Sequence, residues 1–133
     1  HWAAHRLESL TSHELRHGEA VAIGVALDTR YSVQVGLLPA GADDRVHALL
    51  KRLGFHLWHP ALEARGAGGR LLVLDGLAEF REHLGGELAI TLLKGIGRGF
   101  AAHEMNSSKV IEVIYELRDR HARRAQTITR FSA

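Results

Sequence analysis

Apolar residues recur at helical spacing from the start of the chain: Trp2, Ala3, Leu7 and Leu10 lie along a short segment, His1 to Leu10, that runs into Thr11-Ser12. The spacing predicts an amphipathic helix, and the hydroxyl pair predicts a cap for a second helix beginning near Ser12 or His13. The stretch from Gly18 to Val35 reads differently. Ala20, Val21, Ala22, Ile23, Val25, Ala26 and Leu27 make its first turns apolar nearly all round, the pattern of a helix buried on most sides. Its small residues, Gly18, Ala20, Ala22, Gly24 and Ala26, let neighbouring backbones come close. Gly36 stands where a glycine would stop the helix.

After a turn at Pro39 to Asp44, Val46, Leu49, Leu50 and Leu53 form the apolar set of a third helix that starts at Asp43 or Asp44 and ends at Gly54. Residues 55–76 mix His, Pro and Gly, with a short helix expected at Pro60 to Ala64 and a loop at Gly66 to Gly69. Asp75 to Leu84 forms a further helix closed by Gly85-Gly86. The weak alternation of ELAITLLKGIG, continued by Gly99 to Met105, predicts a two-stranded hairpin about Gly95 and Gly97. Asn106 or Ser107 then caps a last helix with Val110, Ile111, Val113, Ile114 and Leu117 on one side. The fold class expected is mainly α with one small β-hairpin, in a single helical domain over 1–133 with its most apolar helix at the centre.

Composition narrows what such a domain does. With 46% hydrophobic and 24% charged residues the 133-residue chain has the balance of a soluble globular domain, and it holds no apolar run long enough for a membrane span. There is no cysteine, so any metal must be held by histidine nitrogens and carboxylate oxygens. The N-terminus has none of the regions of a secretory signal, and a cytoplasmic setting is expected. The chain opens at His1, inside a helical pattern, and is expected to be a C-terminal piece of something longer. The formal charge is only +2, and the basic excess gathers in Arg118, Arg120, Arg123, Arg124 and Arg130. No aromatic residues interleave with these arginines, so they read as the solvated end of a helix, and nucleic acid is not expected as a partner.

Ten histidines are the conspicuous chemistry. His1 and His5 are spaced i, i+4 and therefore share one helix face, while His17 opens the buried helix beside Gly18, whose missing side chain leaves room for an approaching group. Two imidazoles with a carboxylate and an open position make a recurring catalytic zinc set, although Glu8 and Glu14 are not forced into the same shell by their spacing. As an isolated pattern the pair fits either a metal site or surface histidines. His47 is expected to be solvated, His56 and His59 flank Trp58 in a loop, and His121 belongs to the basic stretch. His83 and His103 sit beside the hairpin, where loops present residues to sites. The run Gly95-Ile96-Gly97-Arg98-Gly99 lacks the strand, loop and helix order of a phosphate cradle, and a tight turn explains its glycines.

Taken together, HWAAHRLE and the following LRHGEAVAIG resemble the signature of the 3-dehydroquinate synthase family and its relatives, the sugar phosphate cyclases. There a His-x-x-x-His-x-x-Glu helix precedes a His-Gly-Glu-x-Val-Ala-x-Gly motif. His1, His5, Glu8, His17, Gly18, Glu19, Val21, Ala22 and Gly24 stand in register with it, and GGELAITLLKGIGRG resembles the family's hairpin. The resemblance implies that His1 and His17 are ligands to zinc or cobalt, with a third, glutamate ligand from an upstream part absent here. It implies that His5 contacts substrate hydroxyl and phosphate groups and assists proton transfer. It also implies that NAD is bound by the absent N-terminal domain, and that the parent enzyme is a phosphate-eliminating lyase closing a carbocycle from a heptulose or heptulosonate phosphate. Where dehydroquinate synthases usually carry Asp-Lys-Lys, this chain has Phe80-Arg81-Glu82-His83-Leu84, wording nearer to the cyclases of sedoheptulose 7-phosphate, and Arg81 or His83 is expected to replace the lost cation. The isolated chain is expected to be inactive, with a homodimer favoured by surface that the missing domain would cover. The alternative reading is a non-catalytic helical or oligomerisation module.

Overall fold

In the computed structural model, which describes residues 1–132, the fold consists of five helices and one hairpin. Helix α1 (Trp2–Leu10) turns back into α2 (His17–Gln34), followed by α3 (Ala42–Arg52), short 3-10 turns at Pro60–Glu63, Ala67–Gly69 and Leu72–Leu74, and α4 (Asp75–His83). Strands β1 (Ile90–Gly95) and β2 (Arg98–Ala102) pair antiparallel before the long α5 (Ser107–Ser132). The mainly helical architecture with a single hairpin is the one the hydrophobic pattern predicts.

The second helix starts later than expected, at His17 rather than near Ser12. Thr11 does not cap it: its hydroxyl donates back to the carbonyls of Leu7 and Glu8 at the end of α1. Ser12 and His13 adopt left-handed backbone, with φ of 51° and 64°. Side chains there cost about 1–2 kcal/mol per residue, offset by bonds such as His13 N–H to Glu8 O at 2.8 Å. The result is a tight reversal that folds the start of α2 back over the last turn of α1. Glu19 accepts from the Arg16 amide at 2.9 Å, satisfying an otherwise orphaned donor at the start of α2.

Helix α2 is the centre of the molecule. Ala20, Ala22, Ile23, Gly24, Ala26, Leu27, Thr29, Tyr31 and Ser32 are buried on it, and it packs against α1, α3, α5 and β1. Its polar side chains tie distant segments together. The Ser32 hydroxyl accepts from the Leu93 amide at 3.1 Å, and the Tyr31 hydroxyl accepts from the Asn106 amide at 2.8 Å, fixing the hairpin and the start of α5. Asn106 caps α5 by accepting from the Lys109 amide. Trp2, Ala3, Ala4 and Leu7 on α1 and Val110, Val113, Ile114 and Leu117 on α5 complete the core. Gly76 at the start of α4 lies so close to α1 that a Cβ there would meet the Trp2 carbonyl at 2.7 Å.

Helix α3 departs from its pattern. Leu49 on it and Leu53 just past its end are 56% and 65% exposed, while Asp43 and His47 are 1% and 3% exposed. His47, expected in solvent, is held inside because its Nε2–H donates to the Ala26 carbonyl at 3.0 Å and its Nδ1 accepts from Arg120 at 3.4 Å. Burial pushes its pKa below the ordinary histidine range, in keeping with a neutral ring. Asp43 accepts from Arg30 at 3.2 Å and faces Arg120 at 3.6 Å. Two of the five terminal arginines are thus spent within the fold, Arg120 here and Arg118 on Glu63 at 2.7 Å. No described helix is long and apolar enough to cross a membrane.

Candidate metal and substrate site

The face of α1 opposite its core stripe carries His1, His5 and Glu8, at positions i, i+4 and i+7. Because Trp2, Ala3, Ala4 and Leu7 are anchored in the core, these three project outward together. The reversal at Ser12-His13 adds His17, on the first turn of α2, to the same face. The imidazole centroids of His1 and His5 lie 5.7 Å apart, those of His1 and His17 5.6 Å, and those of His5 and His17 6.1 Å. Three imidazoles from two helices therefore form one triangle.

His17 and His1 are nearly parallel, at 20°, and His5 stands edge-on to both. Two imidazoles sharing one zinc, with Zn–N near 2.0–2.1 Å, hold their centroids roughly 5–5.5 Å apart. The His1–His17 spacing is close to that, so the donor set fits a borderline-soft divalent ion bound through nitrogen. Among the described residues no three His, Asp or Glu side chains are already arranged to hold an ion by themselves. Glu8 accepts a hydrogen bond from Nδ1–H of His17 at 3.1 Å.

Beside the triangle lies a cavity of about 210 Å³ lined by Trp2, His5, Gly76, Glu79, Phe80 and His83. Residues 76, 79, 80 and 83 occupy one side of α4, so the helix turns His83 toward His5. Arg81, two positions back, is carried to the other side and lines a separate hollow with Arg70, Leu74, Leu77 and Met105. Of the two cations that the sequence offered for this role, His83 shares a cavity with His5 and Arg81 does not. His103 is elsewhere, its Nδ1–H donating to the Leu88 carbonyl at 2.8 Å, and His59 caps a 3-10 turn by accepting from the Ala61 amide.

Two features beneath the site escaped sequence reasoning. Arg6 fastens α1 to α4 by pairing with Glu79 at 3.2 Å and Asp75 at 3.6 Å. The Trp2 indole N–H donates to Asp28 at 3.0 Å, and burial raises the pKa of that carboxyl from 3.8 to about 7. Arg6 stands beside His5 on α1, but its partners on α4 are remote in sequence and give no local signal of the pairing. Nothing local signals the second, which joins residues 26 positions apart.

Residues 1–71 match the model of a family described as the 3-dehydroquinate synthase C-terminal domain. The 3-dehydroquinate synthase of Brucella ovis is 35% identical over 122 residues, an alignment covering 87% of this chain and 31% of that protein. The enzyme of Brucella abortus strain 2308 gives the same figures. Among solved structures, ValA, the 2-epi-5-epi-valiolone synthase of Streptomyces hygroscopicus subsp. jinggangensis 5008 with NAD+ and Zn2+ bound, is similar with a TM-score of 0.70 and 27% identity. That match covers 80% of this chain and 28% of ValA. The chain thus spans about a third of the length of the curated relatives it matches. The histidine signature, the helical fold that carries it and the match over residues 1–71 agree: the chain belongs to the 3-dehydroquinate synthase C-terminal domain family.

Proposed function

We propose that this chain is the metal- and substrate-binding part of a sugar phosphate cyclase, a phosphate-eliminating lyase that closes a carbocycle with the help of NAD. The observation that carries the reading is the triangle of His1, His5 and His17 beside the cavity of Trp2, His5, Gly76, Glu79, Phe80 and His83. His1 and His17 would hold zinc or cobalt together with a glutamate from an upstream part of the enzyme. When bound, such an ion supplies Lewis acidity to a hydroxyl or carbonyl oxygen of the substrate. NAD would be held by an N-terminal domain of the parent enzyme.

The residues of this chain have separable tasks in that scheme. His5 belongs both to the histidine triangle and to the cavity wall, where its imidazole can hold a substrate hydroxyl and move a proton. His83 and the first turn of α4 shape the far wall, and His83 offers a donor to an anionic or hydroxyl group of a heptulose phosphate. Trp2 and Phe80 give the cavity apolar surface that excludes water. His83 on the cavity, in place of a lysine, together with the likeness to ValA, favours a sedoheptulose 7-phosphate type of substrate over a heptulosonate phosphate.

The test is His17→Ala in the natural protein that contains this chain. Loss of both bound zinc and turnover is expected, since the remaining ligands cannot keep the ion in geometry. Normal metal content and activity in that variant would overturn the reading. Exposed Leu49 on α3 and Leu53 just past its end favour a compatible second reading, self-association to a homodimer, which light scattering measures.

A further inference from the structure

We infer that Glu8 is the positioning residue for His17, setting which ring nitrogen is free. The inference rests on the reading that His17 is a metal ligand, and it adds a residue that this reading leaves without a role. The Glu8 carboxylate lies 3.1 Å from Nδ1 of His17. It is the better anchored of the two, its side chain 17% exposed against 58% for His17.

The anchoring follows from the fold. Glu8 shares the outward stripe of α1 with His1 and His5, one turn beyond His5, and its backbone carbonyl accepts from the His13 amide at 2.8 Å. The left-handed residues Ser12 and His13 return the chain so that the first turn of α2 overlies the last turn of α1. A carboxylate has no hydrogen to donate, so the proton of a neutral His17 ring must sit on Nδ1. That leaves Nε2 with its lone pair as the available donor atom, and it limits rotation of a ring otherwise exposed to solvent. A ring nitrogen bound to a metal is held in this way by a carboxylate or carbonyl on the opposite nitrogen, and removing such a partner costs about 10- to 100-fold in metal affinity. Of the other acidic residues near His17 in sequence, Glu14 has no such contact and Glu19 is bonded to the Arg16 amide.

The experiment compares wild type, Glu8→Ala, Glu8→Gln and His17→Ala in the natural protein, with zinc affinity measured by competition against a chromophoric chelator. Glu8→Ala should bind zinc about 10- to 100-fold more weakly. Glu8→Gln, whose amide oxygen still accepts from Nδ1–H, should lose much less and serves where the alanine variant fails to fold. A second readout needs no metal: nitrogen-15 NMR of the apo protein, above the titration of its imidazoles, should find His17 protonated on Nδ1 in wild type and Glu8→Gln. In Glu8→Ala the proton should move toward Nε2. Wild type that holds no zinc, or His17→Ala that holds it as well as wild type, removes the metal reading and this inference with it. If those two behave as expected while Glu8→Ala keeps wild-type affinity or an unchanged tautomer, the metal reading stands and the positioning role of Glu8 falls.

Discussion

Helices α1 and α3 are of similar length and both pack on α2, yet they are held by opposite means. Helix α1 buries an apolar stripe and turns its histidines outward. Helix α3 turns an acidic residue and a histidine inward and leaves leucines in water. The difference teaches where chemistry is available. On α1 the core contact is made by Trp2, Ala3, Ala4 and Leu7, so His1 and His5 stay free to act on something outside. On α3 the polar side chains are consumed in holding the fold, in a network running from Arg30 through Asp43 to Arg120 and from His47 to the Ala26 carbonyl. A histidine is therefore a candidate for function here only where apolar neighbours do the packing.

Trp2→Ala should break the apolar arm of this comparison most strongly. It empties a fully buried site under the histidine triangle and should cost about 3–5 kcal/mol in denaturant unfolding, with the cavity wall lost as well. Asp43→Ala tests the polar arm. It leaves Arg30 and Arg120 facing each other without their shared carboxylate, and a loss of about 2–4 kcal/mol is expected. A change below about 0.5 kcal/mol would mean that α3 is held by its leucines after all.

Asp28, under Trp2, sharpens the contrast through pH. Its carboxyl has a folded pKa raised to about 7 against an ordinary 3.8, because burial disfavours the charge. Between those values the unfolded chain ionises the group while the folded chain resists. The stability it contributes is therefore full below about pH 4 and is lost as pH rises toward 7, by at most about 1.4 kcal/mol per unit. Asp28→Asn keeps an acceptor for the Trp2 indole, and it should be more stable than wild type at pH 7 and equal to it near pH 4. Thermal melts across that window read the difference. The smallest effect on the fold of the single chain belongs to Leu49→Gln, within about 0.5 kcal/mol of wild type at dilutions where the protein is monomeric, despite its place in a helical apolar pattern. A larger loss that grows with protein concentration would show that this leucine is covered by self-association.

Much of this was legible from the order of residues. The helix boundaries near Gly36, Gly54 and Gly85, the hairpin about Gly97 and the final cap at Asn106 follow from local backbone chemistry, which a sequence carries in full. The i, i+4 pairing of His1 with His5 likewise needs only helical geometry. The start of α2 did not follow, because Thr11 could cap a following helix or close the preceding one, and only the packing of α1 on α2 selects between them.

The sequence by itself determined which segments are helical, which stripe of α1 faces inward, and that histidine and carboxylate are the only metal donors the chain owns. Tertiary structure alone decided that His17 joins His1 and His5, that His83 rather than Arg81 shares a cavity with His5, and that α3 lies with its charges inward. The reason is physical. Helical periodicity is set by neighbours three and four residues apart. The direction in which a face turns is set by what it meets, and residues such as Arg30, Arg120 and Asp28 meet their partners only after the chain has closed on itself.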